Sequence, residues 1–208
     1  GAIIKNVKGD YIYPSFIDLY SSYGLNEVKS SAYNYRPQYK SNKKGAYHWN
    51  EAIHPEINAS EKFVVNKKQA KIYLSSGFGV VLSHSQDGIV RGTATLLSLS
   101  DEKEQKCMMD GQAASVFSFR KGVSRQKYPS SLMGSIALLR QLFLDAYWYK
   151  NSNSTTNLSF NAFNNHLTLP HIFESKNILD YSRIYSLSDE FEIDFIIKGT
   201  GSEYQRIE

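Results

Sequence analysis

The run NKKQAKIYLSSGFGVVLS, residues 66–83, decides the fold. Asn66 has the short polar side chain that caps a helix, and Ala70, Tyr73 and Leu74 fall on one helical face. Gly77 suits the left-handed residue that ends a helix, so the pattern predicts a helix over 66–76. Gly79-Val80-Val81-Leu82-Ser83 then reads as a fully buried strand. Upstream, Tyr11–Tyr20 (YIYPSFIDLY) reads as a second buried strand, with Pro14 at an irregular point. A helix between two buried strands is a parallel βαβ unit.

The same alternation continues downstream. A turn at Gln86-Asp87-Gly88 leads to a strand over Thr93–Leu99, a solvated turn over Asp101–Lys106 and a strand over Ala113–Phe119. Pro129-Ser130-Ser131 announces a helix over 131–149. Leu132, Ile136, Leu139, Leu142, Phe143, Ala146 and Trp148 surround most of its circumference, which predicts packing between other elements. Residues 151–166 begin as NSNSTTNLSFNAFNN and read as a flexible link. Leu169–Phe173 is strand-like, Asn177 can cap a helix over 178–190, and Ile193–Ile197 is a last buried strand. The expectation is one α/β domain over 1–208 built of parallel βαβ units, with residues 26–60 as a long Tyr-rich loop.

Composition excludes several classes. Twenty-four basic residues against 20 acidic ones leave a net charge of +4, too little to imply a nucleic-acid partner. No apolar run approaches the roughly 18–20 residues of a membrane span, so none is expected. Cys107 is the single cysteine, which excludes an intrachain disulfide and a Cys-rich zinc site. No secretory leader is visible, and the compartment is left open. The 208 residues fall short of the roughly 250 of a closed eight-fold β/α barrel. The chain starts at Gly1 directly before a strand-like segment and stops at Glu208 without punctuation, so both ends read as cut from something longer.

Four segments together resemble the amidohydrolase superfamily. Gly9-Asp10-Tyr11-Ile12-Tyr13-Pro14-Ser15-Phe16-Ile17-Asp18 resembles the first barrel strand, where G-x-x-V-x-P-G-F-I-D precedes H-x-H. Gly77-Phe78-Gly79-Val80-Val81 resembles the next strand, and Tyr128–Gly134 with Ala137–Gln141 looks like long bacterial members related to imidazolonepropionase and prolidase-type enzymes. Ile196–Tyr204 resembles a later strand and its loop. The resemblance implies part of a TIM-barrel-like domain and a longer parent that hydrolyses a C–N bond in a cyclic amide or peptide-like substrate. It also implies a divalent metal, zinc by preference, that activates water. In this register Tyr20 and Ser22 stand where the family has its two histidines, and Lys198 stands where a later strand has another. A lysine ammonium repels a cation, so this segment is expected to hold no metal and to be non-catalytic alone.

Candidate ligand-binding residues are His84, Asp87, Arg91 and Glu174. His84 follows a buried strand, where α/β proteins place binding groups, and Asp87 and Arg91 lie near in sequence. The cluster can bind an anion or amide, or His84 can simply tie down the Asp87-Gly88 turn. Glu174 closes a strand and has a polar partner in either reading. His48 and His54 lack metal-ligand spacing, His166 is expected in solvent and His171 inside the core. Asp18 and Cys107 read as structural, and Gly201-Ser202-Glu203 lacks phosphate-loop spacing. Tyr33, Tyr35, Tyr39, Tyr47 and Trp49 alternate with Arg36, Lys40, Lys43 and Lys44. That stretch suits a binding module for glycan, peptide or single-stranded nucleic acid, or a covering loop.

Overall fold

The computed structural model describes residues 6–29, 36–152 and 155–206. Six strands form one sheet in sequential order: β1 (Phe16–Ser21), β2 (Phe78–Ser83), β3 (Val90–Ser98), β4 (Met108–Ser118), β5 (His171–Glu174) and β6 (Phe195–Lys198). The helices are α1 (Ala59–Lys62), α2 (Lys67–Ser75), α3 (Glu104–Cys107), α4 (Leu132–Lys150), α5 (Leu158–His166) and α6 (Ile178–Phe191). The α/β class holds. The all-parallel arrangement does not: β1 pairs parallel with β2, and β4, β5 and β6 pair parallel, but β2–β3 and β3–β4 are antiparallel. The eleven-residue stretch from Ser98 to Met108 is a hairpin connection too tight for the crossover a parallel pair needs. Five strands therefore run one way, and β3 alone runs the other.

Caps set the helix ends as the sequence implies. The side chains of Asn66, Ser131 and Asn177 accept hydrogen bonds from the backbone N–H groups of Gln69, Gly134 and Asp180. On α4 the buried positions Ser135, Leu138, Leu139, Leu142, Phe143 and Ala146 recur at steps of three and one, so one face enters the core. The opposite face is open, with Leu144, Tyr147 and Trp148 exposed, which corrects the expectation of a helix packed all round. Residues 151–166 are not simply a link. Asn157 caps α5, and Phe160, Phe163 and Leu167 pack onto the core shared by α4, β4, β5 and α6. His166 is accordingly buried rather than solvated.

The strand predicted over Tyr11–Tyr20 is shorter and more exposed than its composition implies. β1 starts at Phe16, forms the sheet edge, and leaves Phe16, Ile17 and Leu19 more than half exposed. The turn at 101–106 contains the short α3, whose Cys107 is buried among Tyr23, Phe63, Val81, Leu97 and Leu99. The long loop is docked rather than loose. Its segment 52–58 runs along β3, where His54 N–H donates to the Val90 carbonyl and Thr93 N–H to the Ile57 carbonyl. Gly92 between them has φ +81°, and any Cβ there would overlap the Ile57 carbonyl. No helix among the described residues is long and apolar enough to cross a membrane.

Candidate functional site at the strand ends

Because β3 runs against the other strands, its first residues lie beside the last residues of its neighbours. One rim therefore collects Tyr20 from β1, His84 after β2, Arg91 from the start of β3, Arg120 after β4, Glu174 from β5 and Lys198 from β6. Register places Glu174 opposite both Ser118 and Lys198.

Arg91 is the centre. Its side chain is wholly buried, with one terminal nitrogen 2.5 Å from Glu174 Oε2 and the other 2.9 Å from the Tyr20 hydroxyl, to which it donates. Nε donates to the Gly88 carbonyl at 3.2 Å. A buried guanidinium is tolerated only when paired and hydrogen-bonded, and Arg91 meets both conditions. Arg120 approaches the other Glu174 oxygen at 3.5 Å. Burial alone would push the Glu174 carboxyl up, but the Arg91 charge and hydrogen bond outweigh it and hold the group below the usual carboxylate range. Burial pushes the Tyr20 hydroxyl above its ordinary value, against the pull of Arg91. Lys198 Nζ lies 4.8 Å from the centroid of the Tyr20 ring, a cation–π contact.

His84 stacks edge-on against Tyr20 at 4.7 Å. Its Nδ1 is 2.8 Å from the Ser85 carbonyl oxygen. Burial, reinforced by the Arg91 charge nearby, lowers its pKa to about 4, so it is neutral at pH 7. Asp87 does not join His84. It accepts from Val123 N–H at 2.7 Å, which ties it to the loop after β4. The structure thus brings His84, Arg91 and Glu174 together with Tyr20 and Lys198, and assigns Asp87 to a neighbouring turn. Arg120 was not singled out from the sequence, although its position two residues past β4 is the same signal that marks His84 after β2.

The rim borders a cleft of about 1330 Å³. His84, Arg120, Glu174 and Lys176 are among its charged and polar lining, with Glu27, His54, Lys62, Asp87, Lys121 and Asp180 also on it, and the capping residues Ser131 and Asn177 bring the first turns of α4 and α6 to its wall.

A divalent cation does not suit these residues. Where the resemblance implies ligands stand a tyrosine already accepting from a guanidinium, a serine and a lysine. The single carboxylate within the network is shared between Arg91 and Arg120. Among the described residues no three His, Cys, Asp or Glu gather in a group that could hold a metal ion.

Of the other histidines, His54 also lines the cleft, and the remaining three lie away from it. His171 is buried beside Phe117 as expected, and burial lowers it and His166. His48 is buried beneath Phe160 and Trp49, and burial brings its pKa to about 4. Of the Tyr-rich stretch, Tyr33 and Tyr35 lie outside the described residues. Tyr39 is exposed, and Trp49 stacks on Tyr128. Lys43 is turned inward onto the Ile53 carbonyl and Glu56, which removes one cation from the basic face.

No family model and no curated protein matches the chain. Among solved structures, the crystal structure of an amidohydrolase from Thermotoga maritima MSB8 matches 99% of the chain with a TM-score of 0.70 at 19% identity. The chain spans 58% of that protein's length. Its fold is therefore amidohydrolase-like.

Proposed function

We propose that the chain is a segment of a longer amidohydrolase-related protein, a partial barrel whose strand-end cleft receives a small amide or peptide-like molecule. The parent activity on this reading is metal-dependent hydrolysis of a C–N bond, and this segment contributes no metal ligands and no catalysis alone. The fold likeness and the 58% share support the parentage. The observation that carries the reading is that Tyr20 and Lys198, two of the positions the resemblance implies for metal ligands, are engaged around the Arg91–Glu174 pair.

Zinc content after equilibration with the metal and dialysis tests it. The chain is expected to retain no stoichiometric zinc and to leave amide substrates intact. One tightly held zinc per chain, released by Tyr20→Phe or Ser22→Ala, would overturn the reading.

A further inference from the structure

Among the described residues, five buried side-chain atoms have no hydrogen-bond partner: Tyr23 Oη, His48 Nε2, His84 Nε2, His166 Nδ1 and His171 Nδ1. Of these residues only His84 lines the strand-end cleft. The chemistry of its free nitrogen is fixed. A neutral imidazole has one N–H and one bare lone pair, and the Ser85 carbonyl can only accept. Nδ1, 2.8 Å from that carbonyl, therefore carries the hydrogen, and Nε2 is an acceptor. Such an atom left unsatisfied costs about 1–3 kcal/mol, which a donor from a bound molecule would recover.

Three of the four carboxylates of the cleft are already engaged, and the fourth, Glu27, is exposed. Glu174 is held by Arg91 and Arg120, Asp87 by Val123 N–H, and Asp180 by Arg183 and the Lys176 N–H. The ammonium of Lys176 is exposed, and the Arg120 side chain is about half exposed (53%) on the same wall. The lining therefore presents one buried acceptor without a partner and several cations, Arg120, Lys176, Lys62 and Lys121, against the single exposed carboxylate of Glu27.

We propose that the cleft binds a small acid bearing an amide N–H, which donates to His84 Nε2 while the acid group faces Arg120 and Lys176. This deepens the proposed function by naming the ligand chemistry and the residue that reads it. N-acetylglycine and O-acetylglycolate are the probes, since they differ only in the N–H. With histidine ¹⁵N-labelled protein, N-acetylglycine is expected to shift the Nε2 signal that disappears in His84→Gln. It should bind about tenfold more tightly than O-acetylglycolate, the ratio one hydrogen bond supplies. His84→Leu should remove that tenfold preference, and Lys176→Gln should weaken both probes alike. Equal affinity for the two probes, no shift at His84, or no binding of either would overturn the proposal. If His84→Leu does not fold, the wild-type probe ratio and the His84→Gln variant, which keeps an acceptor oxygen, decide it. Zinc content decides the reading above separately, so the two can fail independently.

Discussion

The molecule contains two buried ion clusters of similar parts and different character. At the rim, Glu174 meets Arg91, Arg120 and the Tyr20 hydroxyl, with neutral His84 alongside. Beneath the long loop, Glu56 meets Lys43 at 3.2 Å, His54 at 3.9 Å and the Ser159 hydroxyl at 2.7 Å, with neutral His48 alongside. The rim residues arrive on or just after all six strands, and Arg91, Arg120 and Lys198 outnumber their one carboxylate. The loop residues arrive on one irregular segment plus α5, with one lysine for one glutamate. His48 N–H donates to Ser159, which closes that cluster on itself. Surplus positive charge beside an open cleft suits an anionic or dipolar ligand, whereas a balanced pair under a loop acts as a clamp.

The sharpest way to break this comparison is Arg91→Met. It strands Glu174 with only Arg120 near, and is expected to cost about 3–5 kcal/mol of unfolding free energy by denaturant titration. The double variant Arg91→Met with Glu174→Met should recover most of that loss, since an apolar pair replaces a charged one. No recovery would mean that Arg91 acts through Gly88 and Tyr20 instead.

Acid titration separates the clusters next. His84 and His48 have folded pKa values of about 4 against 6.5 unfolded, so the unfolded chain takes the proton first. Their contribution is intact above pH 6.5 and falls as pH drops to about 4, by up to roughly 3 kcal/mol each. Burial alone would raise Glu56, yet the nearby His54, the Lys43 charge and the Ser159 hydrogen bond hold it at about 2, so it adds a further loss from pH 4.5 downward. Stability against pH, compared among wild type, His84→Gln and His48→Gln, should flatten the upper window in each variant.

Smaller effects follow. Ser159→Ala removes one hydrogen bond to a charged group and should cost roughly 1.5–3 kcal/mol, loosening residues 43–56 in hydrogen exchange while leaving the rim protected. Lys198→Met removes only the cation over Tyr20 and should cost about 0.5–1 kcal/mol in melting experiments.

Much of the frame is legible in the sequence because caps and periodicity are local. Asn66, Ser131 and Asn177 mark three helices by side-chain chemistry alone. The direction of β3 is not legible: an apolar run has the same pattern whichever way it lies, and only pairing fixes it. α5 hides in a stretch rich in Asn and Ser, poor helix formers, although Phe160, Phe163 and Leu167 keep helical spacing. Exposure of β1 is equally invisible, since an edge strand and a central one share composition. At the site, His84, Arg91 and Glu174 are legible as polar residues flanking apolar strands. That Tyr20 accepts from Arg91, a residue 71 positions away, depends on the reversal of β3 and follows only from the sheet.

That reversal also has a practical side. The β3–β4 connection around Asp101-Glu102-Lys103 is exposed and sits at the far end of the strands from Tyr20, Arg91 and Glu174. A tag, fluorophore or surface tether inserted there would hold the molecule by its back, presenting the cleft to solution in a uniform orientation.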